Sequence, residues 1–181
     1  MGPSTHPPTP RAATPAGTPR PPLYTPEQRR RRDESGWTLV QGILAPVQFL
    51  VFLVSLGLVL RYLMTGVGQD AATWSVVVKT LTLYTIMVTG CLWEKAVYDV
   101  YLFAPAFYWE DVFSMLVLAL HTAYLVALAT GALDARQQML LALVAYAAYV
   151  VNATQFVLKL RAARLQSAAE GPLRVSAEVA R

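Results

Sequence analysis

Cysteine, histidine and charge are all scarce in this chain, and each shortage removes a class of function. A single cysteine, Cys91, allows no internal disulfide and no cysteine-rich metal or iron–sulfur centre. The two histidines are His6 and His121, so a bis-histidine haem site would have to use the Pro-rich N-terminus. Charged residues make up 14% of the sequence against 55% hydrophobic ones, with a mean hydropathy of +0.41, which is too apolar for a water-soluble domain. No Gly-rich phosphate loop, HExxH pair, GxSxG elbow or CxxC motif occurs, so ATP-driven work, zinc proteolysis and serine hydrolysis lack their residues.

What the chain does have is four apolar segments, at 37–63, 73–98, 112–133 and 138–160. Each approaches the roughly 20 residues a helix needs to cross a bilayer core. The expected fold is all-α: a polytopic four-transmembrane-helix bundle covering residues 26–166. The first 25 residues, rich in Pro, Thr and Ala, bury too little to order themselves and are expected to be a disordered tail. Residues 167–181 are expected to be a flexible C-terminal tail. No signal-peptide pattern occurs in the N-terminal stretch, so the first span is expected to be retained.

The net charge of +4 sits near the span ends, with Arg29 to Arg32 before the first and Lys159, Arg161 and Arg164 after the last. Such placement fits anchoring at a lipid bilayer and argues against nucleic acid as a partner. Lys95 falls on the same side, which puts both termini and the loop between the second and third spans in the cytoplasm. Arg61 and Lys79 lie toward the other side and are expected to snorkel.

An ionisable group in the bilayer core costs about 2.5–3.5 kcal/mol on insertion scales, so helical phase tells where it must find relief. In the third span Glu110, Ser114, Val117, His121 and Tyr124 recur every three or four residues and share one stripe. Asp111 lies about 100° away and is expected at the interface. The first span carries Gln41, Gln48 and Ser55 in phase and a kink-prone Pro46; the second carries Thr80, Tyr84, Met87, Cys91 and Glu94; the fourth carries Tyr149, Asn152, Gln155 and Lys159. Facing one another, these stripes give the bundle a polar interior, and helix–helix glue explains several of them as well as chemistry does. Glu94, next to Lys95 and near Asp99, reads equally as an interfacial salt bridge or as a reacting group. His121 reads as a hydrogen-bonded packing residue, an axial ligand to a tetrapyrrole metal, or part of a proton path.

The stretches "LYTPEQRRRRDESGWTLVQGILAPVQFLVFLVSLGLVLRYL", "VVVKTLTLYTIMVTG", "LWEK", "YLFAPAFYWEDVFSMLVLALHTAYL" and "NATQFVLKLRAARLQ" together resemble the 2-vinyl bacteriochlorophyllide hydratase family, over Leu23 to Gln166. The resemblance implies a bacterial inner-membrane enzyme of bacteriochlorophyll synthesis. It implies addition of water across the vinyl group on the first pyrrole ring of chlorophyllide a, giving a 1-hydroxyethyl group. It also implies the Mg-tetrapyrrole substrate and neighbouring enzymes of the same synthesis as partners. No redox cofactor and no resident metal are expected, since hydration moves no electrons and the substrate brings its own magnesium.

That outcome puts the new proton on the terminal vinyl carbon and the hydroxyl on the carbon next to the ring, so a general acid and a positioned water are needed. A carboxylic acid in an apolar site suits the donation. Glu110 is the first expected acid; Glu94 or Asp111 would orient or deprotonate the water, and His121 would act through Ser114 or a bound water. Tyr108, Trp109 and Tyr124 are expected to contact the macrocycle together with Ser114, and Lys95 or Lys159 to pair its propionate. Two other classes remain open: a carrier that holds chlorophyllide unchanged, and a small haem- or quinone-binding subunit.

Overall fold

The computed structural model describes residues 23–179, with side chains described through residue 165. Five helices follow in order: α1 (Pro26–Glu34), α2 (Gly36–Thr65), α3 (Gln69–Tyr98), α4 (Tyr108–Thr130) and α5 (Ala135–Val179). Four of them contain segments long and apolar enough to cross a membrane: Gly36–Thr65, Gln69–Tyr98, Tyr108–Thr130 and Ala135–Leu165. The four spans expected from the sequence are therefore present; the first and fourth extend a few residues at both ends, the second starts four residues earlier, and the third is shifted to start at Tyr108 and end at Thr130. Residues 1–22, most of the tail expected to be disordered, lie outside the described residues, as do the side chains of the expected C-terminal tail. Tyr24 and Thr25 already belong to the fold: Tyr24 is buried against Tyr98, ring centroids 6.0 Å apart.

Helix α1 was not foreseen, because a run of arginines reads as a charge block. A capping box starts it: Thr25 Oγ1 accepts from Gln28 N, and Gln28 Oε1 accepts from Thr25 N. Pro26 suits the first turn. Ser35 ends α1 and caps α2, accepting from Trp37 N. Arg32 lies 4.7 Å over the Tyr24 ring, and its carbonyl accepts from Thr38 Oγ1, which in turn accepts from Trp93 Nε1. This clamps the arginine-rich helix onto the end of the α2–α3 pair.

The spans run up and down. α2 and α3 form one antiparallel pair, joined through Gly66 and Gly68 at φ 71° and 90°, where a side chain would be strained. α4 and α5 form the other, joined through Gly131 at φ 63°. α2 continues through Pro46 as one helix. Within the bundle Phe52, Val59, Val76, Leu83, Val117 and Tyr146 make the apolar core. Many valines and leucines face outward, as expected where the surrounding medium is hydrocarbon.

Hydrogen bonds between the stripes register the helices. Gln41 Nε2 donates to Thr89 Oγ1 (2.7 Å), Asn152 Nδ2 donates to Ser114 Oγ (2.9 Å), and Gln138 Nε2 donates to the Tyr124 carbonyl (2.7 Å). The α4–α5 bonds run in antiparallel order, so each residue on one helix has a known depth on the other.

Candidate active site

The α3–α4 connection, residues 99–107, folds back under the bundle and organises the acidic residues. Phe103 is held at φ 60°, unusual for a bulky side chain, and this turn aims two successive amides inward. Phe103 N donates to Asp111 Oδ2 (2.8 Å), and Ala104 N donates to Glu94 Oε2 (3.2 Å). Glu94 and Asp111 are 5% and 4% exposed, and their carboxyl groups lie within hydrogen-bonding reach of each other. Two buried carboxyls so close repel each other when both are charged, and Lys159, paired with Glu110, is a cation near enough to act on Asp111.

Two expectations are corrected here. Asp111 is not at the interface: the N-terminus of α4 is packed against the returning loop, which buries directions that would face water on a free helix end. Glu94 makes no salt bridge with Lys95, because adjacent helical residues point about 100° apart. Lys95 instead reaches one turn on to Asp99 Oδ1 at 2.8 Å, in an exposed pair.

Glu110 lies on the expected inward stripe, with Ser114, Val117, His121 and Tyr124 buried along the same face. Its partner is Lys159 of α5, with Nζ to Oε2 at 2.5 Å, and the ammonium also lies 4.9 Å from the Phe107 ring. An aromatic box of Tyr24, Trp93, Tyr98, Phe107 and Phe156 packs around this end of the bundle and keeps it apolar.

Outside the box Phe103, Tyr108 and Trp109 form an exposed aromatic ledge, 41%, 49% and 67% accessible, with centroids 5.7 Å apart for the first pair and 5.6 Å for the second. The backbone of Phe103 binds Asp111 while its ring belongs to the ledge, so ledge and acid pair adjoin. Tyr108 and Trp109 thus stand where a flat macrocycle can lie against them.

His121 and Tyr124 are not part of this group. Along α4 they lie about 16 and 21 Å from Glu110. Both are fully buried. His121 Nδ1 faces the Val117 carbonyl at 2.8 Å, which makes Nδ1 the protonated nitrogen and leaves Nε2 as an acceptor without a protein partner. Beside it is a residue sequence reasoning misplaced. Lys79 does not snorkel; it is 0% exposed in the middle of the bundle, its Nζ 3.9 Å from the centroid of the Tyr149 ring. With the Gln48 amide nitrogen facing the Thr82 carbonyl (3.0 Å), the Gln48 oxygen accepts from Lys79 Nζ at 3.1 Å. α3 starts at Gln69 and not Thr73, so Lys79 sits about three turns inside.

Two hollows are present away from the acids. A groove of about 380 Å³ on the lipid-facing side of α2 and α3 is lined by Leu50, Val51, Val54, Trp74, Ser75 and Val78. A cavity of about 180 Å³ near the Gly131 turn is bordered by Gln69, Thr73, Gln138 and Met139 among others.

Residues 24–162 match the family model described as 2-vinyl bacteriochlorophyllide hydratase. A protein of that name from Rhodobacter capsulatus is 66% identical over 148 residues, 82% of this chain and 86% of the relative. Its namesake from Cereibacter sphaeroides is 68% identical over 143 residues, 79% of this chain and 89% of the relative. No solved structure matches.

Proposed function

The chain belongs to the 2-vinyl bacteriochlorophyllide hydratase family, and from that premise we propose that it hydrates the 3-vinyl group of chlorophyllide a with the Glu94–Asp111 pair as proton donor and acceptor. It is a hydro-lyase of bacteriochlorophyll synthesis with a membrane-embedded helical body. Its substrate is a tetrapyrrole, as the names of its relatives imply. The observation that carries the residue assignment is the pair itself: two buried carboxyls, each anchored by one amide of the same loop, next to an exposed aromatic ledge.

The macrocycle stacks on Phe103, Tyr108 and Trp109 at the membrane interface. Its vinyl group, two carbons long, is small enough to enter past the loop, so no ring-sized pocket is required. The protonated member of the pair adds its proton to the terminal carbon, breaking the π bond and leaving a cation that the conjugated ring delocalises. Water forms the C–O bond at the inner carbon and gives its extra proton back to the pair, which is thereby restored. An apolar, water-poor setting strengthens the donation by leaving the acid no better partner.

Glu110, the acid first expected from the stripe, takes a different part: with Lys159 it forms a charged gate beside the pair. Lys159, a quarter exposed, is placed to meet the propionate, with Lys95 a second cation at the same end. His121, fully enclosed and far from the ledge, is out of reach of the substrate magnesium and acts elsewhere. The Lys and Arg residues gathered at this end put it, and both termini, in the cytoplasm.

Purified chain incubated with 3-vinyl chlorophyllide in isotopically labelled water tests the reading. The product is expected to be heavier by one labelled water. Pigment that co-purifies unchanged would support the carrier instead.

A further inference from the structure

Hydration uses one water per turnover, yet the carboxyl pair is buried in a bundle surrounded by lipid, and a macrocycle on the ledge covers its approach from the cytoplasmic side. Among the described residues, four buried side-chain atoms meet no hydrogen-bond partner: Tyr124 Oη, His121 Nε2, Asn152 Oδ1 and Gln155 Oε1. Orphaned buried polar atoms are costly, and in membrane helices no solvent sits outside to relieve them, so several together call for internal water. They are not scattered. All four lie on the facing stripes of α4 and α5, and the bonds that register this pair order them by depth.

Tyr124 is deepest, level with Gln138, which donates to its carbonyl. Thr73 and Gln138 come near the Tyr124 hydroxyl without making a hydrogen bond of good geometry to it, and both border the 180 Å³ cavity at the far end of the bundle. His121 comes next, against the Tyr146 ring at 5.9 Å. Between it and Asn152 stands Lys79, whose ammonium has three donors and one side-chain acceptor, Gln48. Asn152 follows at the level of Ser114, and Gln155 one turn closer to Glu110 and Asp111. Steps along the helices between successive members are about 4.5–10 Å, within reach of one to three waters.

We propose that these groups hold a file of water between α4 and α5, running from the cavity at the Gly131 turn to the Glu94–Asp111 pair, and that it delivers the reacting water while substrate covers the other side. The existence of the file is independent of the reaction; its delivery role rests on the hydratase reading. Tyr124 and His121 are then positioning residues that bind water, not groups that touch the pigment.

The full chain in bilayers, labelled at histidine, tryptophan and valine and carrying His6→Ala so that His121 is the one histidine signal, is tested by water-edited solid-state NMR. Magnetisation is expected to pass from water to the His121 ring about as fast as to Trp109 at the interface. Transfer as slow as to lipid-facing Val54 means a dry interior and overturns the file. Tyr124→Phe, which removes one unpartnered hydroxyl, is expected to lower kcat several-fold with KM and Tm unchanged. Full kcat with a wet His121 overturns the delivery role. Failure of the hydratase reading would show separately, as wild-type chain that takes up no labelled water while the NMR transfer stays fast.

Discussion

Two loop amides hold the Glu94–Asp111 pair, and each substitution tests its proposed role as proton donor and acceptor differently. Glu94→Gln keeps the bond from Ala104 N through its amide oxygen but cannot pass a proton, so turnover should fall by at least about 100-fold, the low end of general-acid contributions. Binding of the pigment, followed by its absorbance, should persist. Lys159→Met strands the Glu110 carboxylate and should cost about 1–3 kcal/mol, seen as a lower Tm. Adding Glu110→Gln should return most of that loss, because the stranded charge is gone; a double variant no more stable than the single one would mean the ion pair is not what Lys159 supplies. The inward stripe of α4 was legible because period 3.6 survives any loop arrangement. Asp111 was not, since its burial comes from a loop whose return path depends on the left-handed turn at Phe103, and nothing in the sequence marks a phenylalanine for that conformation.

The loop 99–107 and helix α1 are the elements that convert a plain bundle end into a site. Phe103→Gly is expected to act in two opposite ways: it relieves a left-handed backbone by about 1 kcal/mol and removes a ring from the ledge. Stability should hold or rise while KM for the pigment increases; an unchanged KM would take Phe103 out of the binding surface. Thr25→Ala removes the cap of α1 and should loosen it by about 1 kcal/mol, detected as faster amide exchange over residues 26–34 with the membrane helices unaffected. The spans could be read from apolar length alone, whereas α1 could not, because its charged face carries no hydrophobic period. Lys79 was misplaced for a related reason. A four-residue error in the start of α3 turns a lysine three turns deep into one near a membrane edge, where snorkelling is the natural reading.

At the scale of the molecule, polarity is graded along the bundle: an aromatic box and acid pair at the end that carries α1 and the 99–107 loop, Lys79 and His121 in the middle, a small polar cavity at the far end. A topology map should find the 99–107 loop and both termini on one side and the Gly66 and Gly131 turns on the other; a reporter placing the loop opposite the termini would contradict this arrangement. On the proposed reading, the gradient lets a reaction with water run inside a membrane helix bundle: the flat pigment lies on the ledge, and only its vinyl group and a water need enter. The most direct measurement compares full-length chain and its Glu94→Gln/Asp111→Asn variant on 3-vinyl chlorophyllide in isotopically labelled water. The wild type is predicted to give pigment heavier by one labelled water and the variant to bind pigment but leave it unchanged; hydration by the variant at the wild-type rate would contradict the assignment of the reaction to this pair.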